Sequence, residues 1–180
     1  MRLLYLCTDF GIDPCGTKGA SIHLRAITRG LADLGHEVLL VSPLAPPEFD
    51  PRVRCIEAKR SREVRESEKT MRRWLRNRDM DIAPAREFRS ILFAAEAFAQ
   101  VVEALQQNPV DAIIERLSLF GHLGVDLAAF LKVPHIVEVN AVMTEETARF
   151  RSLHLERLAC EIERRVLNTA DAVIPVSEGL

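Results

Sequence analysis

The sequence predicts an α/β fold built on a doubly wound parallel sheet. Three observations predict it: six short runs dense in Leu, Ile and Val, the apolar character of both faces of those runs, and the longer amphipathic stretches between them. A strand buried in a parallel sheet is covered on both sides, so it reads as a continuous apolar run, and each parallel connection needs a crossover of helical length. At 180 residues, 48% hydrophobic and 28% charged, the chain has the size and composition of one globular domain with its own core.

The elements follow in order. Strands are predicted at Leu3–Cys7, Glu37–Ser42, Val53–Glu57, Asp111–Glu115, His135–Val139 and Ala172–Val176. Between the first two, Ala20, Leu24, Ile27, Leu31 and Leu34 step by 4, 3, 4 and 3, the spacing of one helix face, and Gly35 supplies the stop. Phe88, Ile91, Leu92, Ala95, Phe98, Val102 and Leu105 mark a second helix, which ends before Asn108-Pro109. A shorter helix runs through Leu123, Leu127 and Leu131 to the Val133-Pro134 break, since the residue before a proline leaves the helical region. Thr144 then starts one long helix, with Glu145 and Glu146 near its positive end and Leu155, Leu158, Ile162 and Val166 facing inward. A seventh helix is expected from Ser177, so the chain is read as residues 1–180 of a domain cut at its C-terminal end, with Ser177 as the cap of that helix.

Composition narrows the function classes. A net charge of −2 gives no global field to draw in nucleic acid. Cys7, Cys15, Cys55 and Cys160 form no C-x-x-C pair and have no histidines at zinc spacing, so no metal site is expected and the thiols are read as reduced. The apolar start is too short for a signal peptide, and no run of about 18 apolar residues occurs. A cytoplasmic location is expected.

Residues 59–79 break the pattern, with nine basic residues against four acidic ones in a chain of net charge −2. One reading is a solvated helix carrying ion pairs such as Arg62–Glu66 and Arg65–Glu68. The other is a basic helical insertion that touches anionic lipid, with Met71, Trp74 and Leu75 as its apolar side, which makes the protein membrane-peripheral.

In an open parallel sheet, ligands sit beyond the carboxyl ends of the strands, which directs attention to the residues after each run. The loop Thr8–Ser21 contains Gly11, Gly16 and Gly19 and leads into the first helix, where backbone N–H groups, the positive helix end and Lys18 can meet a phosphate. It is no P-loop, because Thr17-Lys18 reverses the required Lys-Ser/Thr order, and no G-x-G-x-x-G dinucleotide motif is present. The bland alternative is that Gly16 and Gly19 only permit a tight turn and close packing. After the fourth run, Arg116 can hold an anion and Glu115 or Ser118 a hydroxyl; the alternative is a Glu115–Arg116 pair that orders the loop. Glu138, inside an apolar strand, needs a partner or a task, and Arg116 is the candidate partner. His122 is a candidate polar contact or proton carrier, against a plain surface histidine. His23, His36, His135 and His154 have no neighbours in sequence that suggest catalysis.

Taken together, Gly16-Thr17-Lys18-Gly19-Ala20-Ser21-Ile22-His23-Leu24-Arg25, Gly35-His36-Glu37-Val38, Glu115-Arg116-Leu117-Ser118-Leu119-Phe120-Gly121, Val133-Pro134 with Glu138-Val139-Asn140, and Ala170-Asp171-Ala172-Val173 with Val176-Ser177 resemble the amino-terminal domain of family 4 glycosyltransferases. The resemblance implies a Rossmann-like domain, the N-terminal half of a GT-B fold, facing a second domain that carries most of the nucleotide-sugar site. It implies sugar transfer with retention and without a divalent metal or other cofactor. By position, Gly16, Thr17, Lys18 and Gly19 approach donor phosphates or acceptor; Glu115, Arg116, Ser118 and Asn140 bind acceptor; His122 and Glu138 are the catalytic candidates. Without the second domain, the 180-residue chain is expected to transfer no sugar. The competing expectation is a non-catalytic module that binds a small anionic ligand at the Gly16–Gly19 loop.

Overall fold

In the computed structural model, which describes residues 1–44, 50–106 and 108–177, the first strand, β1 (Arg2–Leu6), lies in the middle of a sheet of six parallel strands. The others are β2 (Glu37–Ser42), β3 (Val53–Glu57), β4 (Ala112–Arg116), β5 (His135–Val139) and β6 (Ala172–Pro175). Their order is β3-β2-β1-β4-β5-β6, the doubly wound Rossmann arrangement in which the direction of strand addition reverses between β1 and β4. Every pairing is parallel, with Leu3 opposite Val38 on one side and Ala112 on the other. All six strands therefore release their carboxyl ends at the same edge.

The connections are helical: α1 (Gly19–Asp33), α2 (Arg62–Arg76), α3 (Ala83–Leu105), α4 (Leu123–Leu131), α5 (Met143–Phe150) and α6 (Glu156–Thr169). Alternation along β1 divides the core. Leu4 and Leu6 pack with Phe93, Ala97 and Val101 of α3 and with Leu123 and Leu127 of α4. Tyr5 and Cys7 face the other way, onto Leu24 of α1 with Val38, Leu40 and Val53. Val166 of α6 closes over Val137, Val139 and Leu117. Each large side chain so enclosed contributes about 1.5–3 kcal/mol. α1 ends where expected, since Gly35 takes φ +82°, a conformation that costs glycine nothing.

The predicted elements differ from the structure in instructive places. β1 and β4 are shifted by one residue from the predicted runs, and β6 stops at Pro175. The single long helix expected from Thr144 is two helices. Glu87, buried on α3, accepts the backbone N–H groups of His154 (2.9 Å) and Leu155 (2.8 Å), donors that a continuous helix would use internally. Asp81 adds a bond to His154 Nε2 at 2.9 Å. Thr144 is no cap either: Val142 holds that position, and the Thr144 hydroxyl donates to Glu163 at 2.8 Å. Leu158 is exposed rather than inward-facing.

The basic stretch forms α2, capped by Ser61, whose hydroxyl accepts the Val64 N–H at 3.1 Å. The expected pairs Arg62–Glu66 and Arg65–Glu68 are replaced by Lys69–Glu66 at 2.9 Å and Arg72–Glu68 at 2.6 Å. Glu68 is buried against α3, so it is reached by Arg72 from one turn on and by arginines outside the helix. Leu75 is buried, whereas Trp74 is 50% exposed and stacks under Arg78, 4.2 Å from the ring centre. The helix expected after Ser177 lies, from residue 178 on, outside the described residues. No helix among the described residues is long and apolar enough to cross a membrane.

Candidate functional site

The reversal point between β1 and β4 opens into a cleft of about 600 Å³. Its floor is made where the two strands end. Thr8, after β1, and Ser118, after β4, are buried and share a hydrogen bond of 2.6 Å between their hydroxyls. Close approach is possible because residue 121 is glycine; a Cβ there would lie 2.3 Å from Ser118 Oγ and 3.2 Å from Thr8 Oγ1. The walls come from Phe10 and Gly11, from Arg72 of α2, from Arg86 and Arg89 of α3, and from Arg151 and Ser152 after α5.

Beside this cleft, at the same edge of the sheet, four donors converge on Glu138. Tyr5 Oη donates to Oε2 at 2.8 Å, Arg116 Nη1 donates to Oε1 at 3.0 Å, and His23 Nε2 (2.7 Å) and Asn140 Nδ2 also meet Oε1. Three of the four contacts crowd onto Oε1 and one falls on Oε2, so both oxygens are engaged. Burial pushes the Glu138 carboxyl up, but the bonds from Asn140 and Tyr5 and the His23 imidazole outweigh it and hold the group below its ordinary range. Glu138 is a fixed anion, only 5% exposed. It ties α1, β1, β4 and the residue after β5 into one knot.

Glu115 points to the opposite face of the sheet. It is 1% exposed, accepts the Gly124 N–H at 3.2 Å and lies 3.0 Å from His135 Nε2. Enclosed beneath α4 by these contacts, it is not part of the cleft lining, and it does not pair with Arg116, its neighbour in sequence. His23, His135 and His154, which have no neighbours in sequence that suggest catalysis, find carboxylate partners in Glu138, Glu115 and Asp81 from distant segments. His122 sits at the start of α4, with Nε2 3.5 Å from Asp126 and Nδ1 3.3 Å from the Phe120 carbonyl, and does not line the cleft.

The glycine loop is ordered from within. Asp9 and Asp13 accept the N–H groups of Gly11 (2.6 Å) and Cys15 (2.9 Å), and Arg25 Nη1 donates to the carbonyls of Pro14 and Gly16 at 2.7 Å each. A Cβ on Gly16 would lie 2.8 Å from Ser21 Oγ, so close packing explains that glycine; Gly19 has open space around it. Thr17, Lys18 and Gly19 are exposed, and Lys18 begins α1 with no side-chain cap and no acidic residue in the first turn. The N–H groups of Ser21 and Ile22 return to the Lys18 carbonyl at 2.9 and 3.0 Å, and the exposed helix end keeps the backbone polarity that attracts anions.

Of the residues singled out in sequence, Arg116, Glu138 and Asn140 meet in one cluster with α1, and Ser118 forms the cleft floor. Sequence reasoning missed Phe10, Arg72, Arg86, Arg89 and Arg151. The usable signal for Phe10 was its place just after the first strand of a reversing sheet. Among the described residues no His, Cys, Asp and Glu cluster could hold a metal ion.

The sheet order and the cleft at its β1–β4 reversal define a Rossmann-like α/β domain that binds its ligand at the carboxyl edge of the sheet. Twenty solved chains match it. Among them, MurG from Acinetobacter baumannii superposes with a TM-score of 0.53 at 14% identity, over 98% of this chain and 41% of that one. The chain thus spans less than half the length of that structure. No curated protein matches the sequence. The sequence model of Glycosyltransferase Family 4 matches residues 17–180, and the chain belongs to that family.

Proposed function

We propose that this chain supplies the acceptor-side wall of a sugar-transfer cleft whose nucleotide-sugar donor is held mainly by a second domain. The observation that carries the reading is the cleft at the β1–β4 reversal, floored by the Thr8 and Ser118 hydroxyls, in a chain of this family. Transfer proceeds with retention and without a metal or cofactor. The exposed end of α1 at Thr17, Lys18 and Gly19 offers N–H groups and an ammonium to the departing diphosphate, which substitutes for a cation. Ser118 contacts the acceptor. Glu138, held by four donors, acts by positioning: it holds Arg116, Asn140 and α1 in register. His122 is left as the candidate proton carrier. The donor places the protein in the cytoplasm, and the exposed basic side of α2, with Trp74, suits contact with an anionic membrane surface.

The test is sugar transfer from labelled nucleotide sugars by protein containing both domains, with the 180-residue chain alone in parallel. Acceptor-dependent release of nucleoside diphosphate only when both domains are present supports the reading. Enzyme-like release by the 180-residue chain alone, or none from any donor with both domains, overturns it. Chelator treatment tests metal independence and the product's anomeric coupling tests retention.

A further inference from the structure

The cleft carries more guanidinium charge than its carboxylates neutralise. Buried Glu68 is shared by three arginines: Arg60 at 2.6 Å, Arg72 at 2.6 Å and Arg89 at 3.4 Å. Arg60 and Arg89 also lie over the Phe10 ring, 4.9 and 4.2 Å from its centre, which fixes their spacing at the end of β1. The Nε atoms of Arg72 and Arg89 are buried without an acceptor. Arg86 and Arg151 line the same cleft, and among the described residues neither has a carboxylate within ion-pair distance. The acidic groups on the lining are engaged elsewhere: Glu87 by the N–H groups of His154 and Leu155, Asp81 by His154 and Ala83, and Asp9 by Gly11.

One further sign agrees. Burial makes the Arg89 charge harder to hold; Glu68 opposes that, but Arg60, Arg72 and Arg86 reinforce it, and the net pKa is lowered. A second anion beside these arginines removes the imbalance, and guanidinium forks match phosphate and carboxylate geometry.

We propose that the cleft takes an oxyanion group of the acceptor, a phosphate or a carboxylate, on Arg72, Arg86 and Arg89, with Arg151 closing from the opposite wall. This deepens the acceptor-side reading and depends on it. The anion sits beside the Thr8–Ser118 floor, so the acceptor is a small sugar or polyol bearing its charge next to the segment that reaches the cleft. The ligand's charge, and not its hydroxyls alone, sets affinity.

The purified chain is titrated at constant ionic strength with inorganic phosphate, glucose 1-phosphate, glucuronate, glucose and uridine diphosphate, read by calorimetry and by the thermal unfolding midpoint. Arg86→Gln and Arg151→Gln test the assignment, because both arginines are exposed and their loss leaves the Glu68 cluster intact; circular dichroism checks folding. Binding of glucose 1-phosphate or glucuronate but not glucose, weakened about tenfold or more in Arg86→Gln, is the expected result, and the better of the two ligands tells phosphate from carboxylate. Failure of both to bind, equal stabilisation by added chloride, or undiminished binding in both variants overturns the proposal. Tighter binding of uridine diphosphate, lost in the same variants, assigns the arginines to the donor and overturns it too. The titration needs no turnover, so its failure leaves the glycosyltransferase reading to the two-domain transfer assay.

Discussion

Tyr5 and Glu138 stand on strands separated by β4, yet the phenol reaches across that strand to the carboxylate at 2.8 Å. Arg116 of the intervening strand donates to the same carboxylate from below the span. Removing either end leaves a buried polar group short of a partner. Tyr5→Phe is expected to cost about 1–3 kcal/mol, the penalty for one lost bond to a buried acceptor. Glu138→Ala is expected to cost about 3–5 kcal/mol because it strands Arg116. Urea denaturation of both variants measures the two losses; equal small effects would show that the knot is dispensable.

The same carboxylate sets a pH dependence. Its pKa in the fold lies below the ordinary 4.5, so the unfolded chain binds the proton more readily. The stabilisation is present above pH 4.5 and is lost as the pH falls through the lowered value. Denaturation midpoints measured from neutral pH downward should fall more steeply in the wild type than in Glu138→Gln.

Glycines 19 and 124 should respond oppositely to alanine. At Gly124 a Cβ would lie 2.4 Å from both Glu115 Oε2 and His135 Nε2, so the buried pair must separate, at a cost of about 3–5 kcal/mol. At Gly19 nothing stands within 4 Å, and alanine in the first turn of α1 should leave stability unchanged or raise it by up to about 1 kcal/mol. Thermal unfolding separates the two. A fall in transfer by Gly19→Ala in the two-domain protein, with stability kept, would mark a backbone approach to a ligand.

The thiols differ in the same way. Burial, first, and the Asp9 charge push the Cys7 thiol up to about 12, while Cys15 is exposed. Alkylation at pH 8 should modify Cys15 first and Cys7 only after denaturant is added, read by mass spectrometry of the labelled peptides.

The strands were legible because Leu3–Leu6, Val38–Val41 and Ala112–Ile113 are buried on both faces, and burial on both faces leaves a mark in a short window of sequence. The α5–α6 break was not legible. Residues 151–155 hold no glycine or proline, and the group that interrupts the helix, Glu87, is 67 residues away from His154. Half of the site shared that fate. Glu138 announced itself as a charge in an apolar strand, and Arg116 was close enough to nominate as its partner. His23 is 115 positions from Glu138, and nothing near it in the chain hints at the contact. Glu68 misled for a related reason: helical spacing offers it surface partners, whereas packing of α2 on α3 turns it inward toward Arg60 and Arg89.

Glu87 has an effect larger than its two bonds. Without it, residues 143–169 could wind as a single rod of 27 residues, about 40 Å long and more than twice the span of a five-residue strand. Such a rod would overhang the layer beneath it and carry Arg151 and Ser152 away from Phe10. One carboxylate on α3, by outcompeting helix propagation at a single turn, gives the crevice its last side and so decides that it is a container rather than a ledge.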